Sequence, residues 1–391
     1  MAKRVGMEVS IAAAEAVKQA NVDVVSAYPI TPQTHIVEHL SELVANGELD
    51  ADFIPVESEH TALSVCVGSE ATGARSFTCT SSQGLALMNE IVFLTPGLRL
   101  PLVMILVNRA LSAPLNIWND HSDVMSIRDS GWIQVFTETG QEVYDHVFWA
   151  YKVAEDRGVL LPVIVNVDGF ILSHVIEPIE MIEQEKIDTF LPAYDPLYRL
   201  HPDKPLTMGA YGMPGIYTEA RKAQEAALLG SMDRIEETWK ALGEMSGRHY
   251  KPIETYRAED AETLLVTMGS FGQTASTAVD EMRAAGRSVG LAKIRLWRPF
   301  PTELFRQAVG KAKRLVVIDR AINMGAPVGP VASEIRSALY GKPGQPAIYN
   351  FVAGLGGRDV APSDFVKMVE RAEAEIKAGN ADGYNVYGVR E

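Results

Sequence analysis

Residues 54–88 read IPVESEHTALSVCVGSEATGARSFTCTSSQGLALM, and this stretch decides the fold class. A short apolar run ends at the segment 57–60, and a helical segment rich in small residues follows. A β-branched and aromatic run at 76–80 then meets a small polar turn at 81–84 and an apolar helix at 85–94. Strand, helix, strand and helix in this order predict a parallel sheet that is covered by helices.

Two acids, Glu57 and Glu59, follow the first of these strands. Open α/β sheets bind their ligands outside the carboxyl ends of the strands, so a carboxyl group at this place is a candidate cofactor contact. The same residues also suit a helix N-terminus, where the helix dipole favours negative charge. The pattern alone leaves cofactor contact and helix capping both open.

Composition limits the class of partner and the kind of site. The chain has 391 residues, 36 of them basic and 50 acidic, with a net charge of -14, which argues against nucleic acid or an anionic membrane as the main partner. No apolar run approaches a membrane span, and no signal-peptide core stands near the start, so we expect a cytoplasmic protein. Cys66 and Cys79 are isolated, and we expect no metal site and no iron–sulfur cluster on this chain.

The remaining pattern predicts two α/β units. In the first, further strands are expected at 22–28, 101–107, 133–136 and 161–167, with helices at 31–44 (Thr31 as its N-cap) and 141–154. Residues 170–211 are punctuated by prolines and indicate an extended connection, followed by one long helix at 216–242. The second unit begins near residue 260, with strands at 264–268, 289–296, 315–318 and 348–352 and helices at 274–284 and 362–378.

The loop 108–131 lies between two predicted strands and is unusually long. Loops of this length in compact domains are functional or mobile. Ile117 and Trp118 favour a loop packed against the protein, with a solvated surface loop as the alternative.

Polar side chains follow several strands of the first unit. Thr31, Glu59, the pair Ser82–Gln83 and Arg109 each come just after a predicted strand. The carboxyl ends of parallel strands share one edge of the sheet, so we expect these side chains to converge. A guanidinium beside a hydroxyl suits the carboxylate of a 2-oxoacid. We expect the nearby His60, His121 and His174 to be structural hydrogen-bonding residues.

The motifs together resemble the alpha subunit of pyruvate:ferredoxin oxidoreductase, in the 2-oxoacid:acceptor oxidoreductase family. The likeness covers nearly the whole chain, in order. The segments that carry it are YPITP (28–32), ESEH (57–60), SSQGL (81–85), NRALSAP (108–114), NIWNDH (116–121), DGF (168–170) with SH (173–174), RPFP (298–301) and GLGGRD (354–359).

The resemblance implies a fold and a set of site residues. Residues 1–250 would form a doubly wound, pyrimidine-type domain that binds thiamine diphosphate, and residues 255–391 an α/β domain like the transketolase C-terminal domain. Glu59 would hydrogen-bond N1′ of the aminopyrimidine, and Thr31 and Arg109 would hold the substrate carboxylate and keto group. The other implied cofactor contacts are Pro29, Ile30, Ser82 and Gln83.

The resemblance also implies an activity and partners. The enzyme would oxidatively decarboxylate a 2-oxoacid, with pyruvate expected, to acyl-CoA and CO2, with coenzyme A as co-substrate. The chain lacks the Gly-Asp-Gly motif of magnesium–diphosphate binding and lacks cluster cysteines. Thiamine diphosphate would therefore be shared with a beta-type subunit that holds Mg2+, and [4Fe-4S] clusters would belong to ferredoxin-like and gamma-type subunits, so that this chain alone is inactive.

Several alternatives stay open at this stage. In one alternative, the substrate is a branched-chain or an aryl 2-oxoacid, such as phenylglyoxylate. The final acceptor is either ferredoxin or, through a flavin subunit, NAD. In other functional classes the chain would be a non-catalytic nucleotide-binding or electron-transfer subunit, or a transketolase-like enzyme without redox chemistry.

Overall fold

The computed structural model describes residues 3–390. The strands are β1 (Lys3–Glu8), β2 (Val24–Ala27), β3 (Asp52–Pro55), β4 (Ser76–Thr80), β5 (Val103–Asn108), β6 (Ile133–Phe136), β7 (Val163–Asp168), β8 (Ile176–Met181), β9 (Ile253–Tyr256), β10 (Thr263–Met268), β11 (Val289–Ile294), β12 (Leu296–Arg298), β13 (Arg314–Asp319), β14 (Ala347–Val352) and β15 (Tyr384–Val386). The α-helices are α1 (Val9–Gln19), α2 (Thr34–Ala45), α3 (Glu59–Thr72), α4 (Ser82–Leu87), α5 (Asn89–Gly97), α6 (Ser122–Ser126), α7 (Gly140–Ala154), α8 (Gln184–Phe190), α9 (Pro214–Gly230), α10 (Met232–Ser246), α11 (Phe271–Ala284), α12 (Thr302–Val309), α13 (Pro330–Leu339) and α14 (Pro362–Lys377).

The first sheet has the strand order β12-β6-β7-β5-β4-β2-β3. All neighbours pair in parallel except β12, which runs antiparallel to β6. On β5, Val103 and Ile105 pack with α1, α2 and α7, whereas Met104 and Leu106 pack with α3 and α5. Both faces of the sheet are therefore buried under helices, as its continuous apolar strands require. The predicted doubly wound α/β unit is confirmed.

The second sheet has the order β15-β14-β13-β10-β11-β9 and is parallel apart from β9. Val316 of β13 packs with α11 and α14, and Val317 packs with α12 and α13. The core beneath α12 and α13 continues without a break into the core beneath α3 and α5. Because β12 leaves the second unit to pair with β6 of the first sheet, the two units are joined by both a core and a strand.

Three helix predictions were wrong in their bounds. The helix expected from Thr31 begins at Thr34, because the Gln33 side chain donates to the carbonyl of Tyr28 at 2.7 Å and closes a turn over residues 28–33. The helix expected at 216–242 is two helices that meet at Ser231, whose hydroxyl donates to the Leu228 carbonyl at 2.7 Å. The helix expected at 85–94 is likewise split, into α4 and α5.

The connection 170–211 is only partly extended. It contains α8 and the strand β8, which pairs antiparallel with β1. Pro178 lies within β8, which is possible because both strands of a two-stranded ribbon are edge strands, and an edge strand tolerates a proline. Buried Ile179 and Ile187 anchor the segment to the first core. Within residues 3–390, no helix is long and apolar enough to cross a bilayer.

Candidate functional site

The predicted site residues follow β2, β3, β4 and β5 at one edge of the first sheet. Thr31 lies in the turn before α2, Glu59 begins α3, and Arg109 follows β5 directly. The structure brings Thr31 and Arg109 into contact and sets Glu59 against the turn from β4 to α4. Pro29 is exposed and Ile30 half-buried in the turn that also carries Thr31.

Glu59 is buried at the start of α3 but does not cap the helix. Ser58 is the N-cap, and its hydroxyl accepts the Thr61 backbone N–H at 3.2 Å. Exposed Glu57 accepts the Thr61 hydroxyl at 2.5 Å. Glu59 lies in the first turn of α3, where the helix dipole favours its charge, but within residues 3–390 its buried carboxyl makes no hydrogen bond.

Gly84 brings the backbone of α4 up against the Glu59 carboxyl. A Cβ at Gly84 would lie 2.7 Å from Oε1 of Glu59 and still closer to the Thr80 hydroxyl. That hydroxyl is buried and lacks a hydrogen-bond partner among the described residues. Buried polar atoms are almost always paired, so a carboxyl and a hydroxyl beside a glycine fit a flat ring that carries hydrogen-bonding nitrogens.

Arg109 is a buried cation that is held by backbone carbonyls. Its Nη1 donates to the Thr31 carbonyl at 2.8 Å and its Nε to the Asn116 carbonyl at 3.0 Å. Burial lowers the pKa of this guanidinium, which nevertheless stays charged at any physiological pH. Its Nη2 has no partner within the described range, which leaves one charged donor for an anionic ligand. Thr31 meets Arg109 through its backbone carbonyl, where the sequence predicted its hydroxyl.

Asp123 ties the strand ends together, a role that sequence reasoning missed. Its carboxylate accepts the backbone N–H groups of Ser82 at 3.2 Å and Arg109 at 3.0 Å, and the Asn108 amide at 3.1 Å. Burial raises its pKa to about 7. The only sequence signal was its place in the polar segment 119–123, which does not identify what it contacts.

Ser82 and Gln83 form the turn after β4. The Ser82 hydroxyl lies 2.6 Å from both the Ala110 carbonyl and Oε1 of Gln83. Ser82 has a left-handed φ of 44°, which is uncommon for a residue with a side chain. The bonds to Asp123 and Ala110 hold this backbone in place and connect the β4 turn to the Arg109 segment.

The loop 108–131 is anchored by its polar residues. Asn119, Asp120 and His121 are buried, whereas Leu115 is 73% and Trp118 49% exposed. The expectation of a loop packed against the protein is confirmed, although Ile117 and Trp118 stay part-exposed, with the Trp118 ring tilted against Phe170 at a centroid distance of 4.6 Å.

A glycine turn of the second unit holds this loop. The Gly357 N–H donates to the Asn119 carbonyl at 2.7 Å, and the Asn116 amide donates to the Gly356 carbonyl at 3.0 Å. A Cβ at either glycine would collide with the loop. The run 354–357 is thus a close backbone approach between the two units, and it fixes the Asn116 segment that binds Arg109.

Asp168, at the end of β7, joins the two units through a buried ion pair. Its carboxylate accepts Nη1 of Arg320 at 2.7 Å, Nε2 of His121 at 2.8 Å and the Ser270 N–H at 2.8 Å. Burial would raise the pKa of Asp168, but Arg320 and His121 outweigh it and hold the pKa below its usual range. His121 is thus a structural residue, whereas His60 lies at the surface 3.5 Å from Glu90.

Two family models match the chain in sequence. Residues 15–239 match the thiamine diphosphate-binding region of pyruvate flavodoxin/ferredoxin oxidoreductase, and residues 261–365 match core domain II of pyruvate:ferredoxin oxidoreductase. The chain belongs to the pyruvate:ferredoxin oxidoreductase family. The first match contains all the site residues of the first unit. The site residues of the second unit, which are Ser270, Arg320, Gly356 and Gly357, lie in the second match.

Relatives in this family align over almost their full length. The chain is 48% identical to pyruvate synthase subunit PorA of Methanothermobacter thermautotrophicus over 362 residues, which is 93% of each chain. It is 46% identical to the PorA of Pyrococcus furiosus over 386 residues, covering 98% of this chain and 97% of that one. It is 44% identical to ketoisovalerate oxidoreductase subunit VorA of Pyrococcus horikoshii, over 95% and 94% of the two chains.

Solved structures support the fold. A 2-oxoglutarate:ferredoxin oxidoreductase from Magnetococcus marinus, with 2-oxoglutarate, coenzyme A and succinyl-CoA bound, matches with a TM-score of 0.72 at 19% identity. The match covers 94% of this chain and 65% of that chain. A split-gene transketolase matches with a TM-score of 0.55 over 94% of this chain and 99% of that one, at 11% identity. At these identities the likeness concerns the fold alone.

Proposed function

We propose that this chain is a subunit of a thiamine diphosphate-dependent enzyme that oxidatively decarboxylates a 2-oxoacid to acyl-CoA and CO2, with pyruvate as the substrate. One observation carries the proposal: a buried carboxyl, Glu59, and a buried guanidinium, Arg109, follow strands of one sheet edge, and each keeps hydrogen-bonding capacity that the described chain does not use. Relatives at 46–48% identity that are named pyruvate synthase subunits support the choice of pyruvate.

Each site residue has a role in this proposal. Thiamine diphosphate, when bound, supplies the electron sink for loss of CO2. Glu59 holds a proton between its carboxylate and a ring nitrogen of the aminopyrimidine. Nη2 of Arg109 binds the substrate carboxylate, and Thr31 faces the keto oxygen. The remaining proposed cofactor contacts are Pro29, Ile30, Ser82 and Gln83.

We propose that the missing parts of the enzyme lie on other chains. The two cysteines are both buried, and burial raises the pKa of each thiol, so neither is available as a cluster ligand. We therefore assign [4Fe-4S] clusters to ferredoxin-like and gamma-type subunits, and Mg2+ with the diphosphate to a beta-type subunit. The division into domains 1–250 and 255–391, the flavin-linked use of NAD and the cytoplasmic location remain predictions.

A branched-chain 2-oxoacid is the second candidate substrate. The ketoisovalerate oxidoreductase subunit is 44% identical to this chain, close to the 43–48% of the pyruvate synthase subunits. Overall identity thus separates the two substrates weakly. A panel of 2-oxoacids that differ in side-chain size, with an aryl member included, distinguishes them.

The test uses the complex that co-purifies with this chain under anaerobic conditions. We expect pyruvate with coenzyme A to bleach the iron–sulfur absorbance, and Glu59→Gln to slow this by about 10²–10⁴-fold without loss of subunits, the usual range for a lost proton-transfer group. Glu57→Gln is the matched control, because Glu57 is exposed two residues away. Normal turnover in Glu59→Gln would contradict the role of Glu59. Bleaching by a larger 2-oxoacid alone would keep the reaction and change the substrate.

A further inference from the structure

Three side chains that can bind a metal ion lie close together where the end of β1, the start of α2 and the segment after β7 meet. Glu8 ends β1, His35 lies in the first turn of α2, and His174 follows β7. One ligand atom from each lies within 4.8 Å of the other two, and among the described residues no other such group of three occurs. The imidazole rings of His35 and His174 have centroids 4.6 Å apart.

We propose that Glu8, His35 and His174 form a binding site for a divalent transition-metal ion of the Zn2+ class. Two imidazoles and one carboxylate are the ligands that Zn2+ takes when a fourth, open position is filled by water. Bonds of about 2.0–2.1 Å place tetrahedral ligands about 3.3 Å apart, so side-chain rotations that bring ligand atoms closer by up to about 1.5 Å close the site. The side chains of Glu8 and His35 are part-exposed, which leaves a path for the ion and room for these rotations.

Hydrogen bonds already orient both imidazoles, and Nδ1 of His35 lies 2.7 Å from Oε1 of Glu8. Nδ1 of His174 lies 2.7 Å from the Ser173 hydroxyl, which also accepts the Phe170 N–H at 3.0 Å. When Nδ1–H donates to that hydroxyl, Nε2 keeps its lone pair, as in many metal sites where an outer partner fixes the tautomer.

The site connects to the loop that binds Arg109. Three successive ring contacts, each with centroids 4.6 Å apart, lead from His35 to His174, then to Phe170 and then to Trp118. Trp118 follows the Asn116 segment, whose carbonyl accepts Nε of Arg109. A bound ion would therefore fix the turn 169–175 and, through it, one side of the proposed substrate site.

The full-length, tag-free chain is stripped with a chelator and titrated with Co2+ alone, followed by ligand-field absorbance and by calorimetry with Zn2+. We expect one equivalent to bind, with affinity at least tenfold lower in His35→Ala and in Glu8→Gln. His39→Ala is the matched control, because His39 lies one turn further along α2, its Nε2 bonds Glu15 at 2.9 Å, and among the described residues it belongs to no group of three ligand-type side chains. Circular dichroism checks that each variant is folded.

Affinity at least tenfold lower in His35→Ala and Glu8→Gln, with unchanged affinity in His39→Ala, supports the site. Absence of stoichiometric binding in the unmodified chain would overturn it. Binding of equal affinity in all four proteins would also overturn it, because the ion would then occupy another place. The buried cysteines do not compete for the ion in the folded chain.

Discussion

The buried pair Asp168–Arg320 provides the sharpest test of how the two units are held together. Asp168→Asn keeps the shape of the side chain but removes its charge. Arg320 would then remain buried without its hydrogen-bonded counter-ion, and its Nε and Nη2 already lack partners among the described residues. An Asn amide group would also face the N–H donors of Arg320 or Ser270 in place of a carboxylate oxygen.

The size of the effect follows from burial. Asp168 and Arg320 are each 1% exposed, and the salt bridge spans 2.7 Å. Removing one partner of such a pair costs about 3–5 kcal/mol, which is a large part of the roughly 5–15 kcal/mol of a typical domain. Replacing Arg320 by Met as well removes the stranded charge, so the double variant should recover part of this loss.

The assay is equilibrium urea unfolding of the full-length chain at neutral pH, read by both circular dichroism and tryptophan fluorescence. The control is Glu225→Gln, which breaks an exposed pair with Lys222 and should leave the unfolding midpoint unchanged. A midpoint for Asp168→Asn equal to that of the control would refute the reasoning. So would a double variant that is less stable than Asp168→Asn alone.

The pH dependence gives an independent check on the same pair. Because the folded pKa of Asp168 lies below its usual range, the stabilisation is fully present above the unfolded pKa of about 3.9. It is lost as the pH falls through the lower, folded value. The part of the stability difference between the native chain and Asp168→Asn that comes from the Asp168 charge should therefore shrink as the pH falls below about 4. A difference that persists unchanged into acid would contradict this.

Three further predictions concern the site and the core. Gly84→Ala places a Cβ 2.7 Å from Oε1 of Glu59. The affinity of the assembled complex for thiamine diphosphate, measured by calorimetry, should therefore fall at least tenfold. The control is Gly68→Ala, which adds a Cβ in open space on the same helix as Glu59 and should leave that affinity unchanged. Arg109→Lys should raise KM for the 2-oxoacid about tenfold, roughly one charged hydrogen bond, and an unchanged KM would place the carboxylate elsewhere. Burial raises the pKa of Glu70 well above its usual value, so the folded chain keeps a proton that the unfolded chain loses. Stability should then fall by up to about 1.4 kcal/mol per pH unit above about pH 4.3, and Glu70→Gln should flatten that slope in urea titrations; an unchanged slope would show that Glu70 is not its source.

Local pattern was enough to predict the fold class and the candidate site edge. The apolar runs at 76–80 and 101–107 are short, buried on both faces and separated by helices, which only a parallel, doubly wound sheet accommodates. Glu59 and Arg109 were predicted together because each follows such a strand, and strand ends in a parallel sheet share an edge.

Local pattern was not enough wherever a distant contact decides the outcome. The start of α2 depends on one side-chain bond from Gln33 to Tyr28, and β8 exists because β1, more than 160 residues earlier, pairs with it. The loop 108–131 is anchored by its polar residues because a glycine turn of the second unit contacts it.

The sequence by itself determined the secondary-structure order, the parallel sheets and the chemistry available at the sheet edge, because these follow from apolar periodicity and from the position of residues relative to strands. Only the tertiary structure decided that Asp123 joins two strand ends, that Asp168 pairs with Arg320, and that Glu8, His35 and His174 meet. The physical reason is that hydrogen bonds and charges act over a few ångströms, and residues far apart in the chain come within that range only after the sheets and helices have packed.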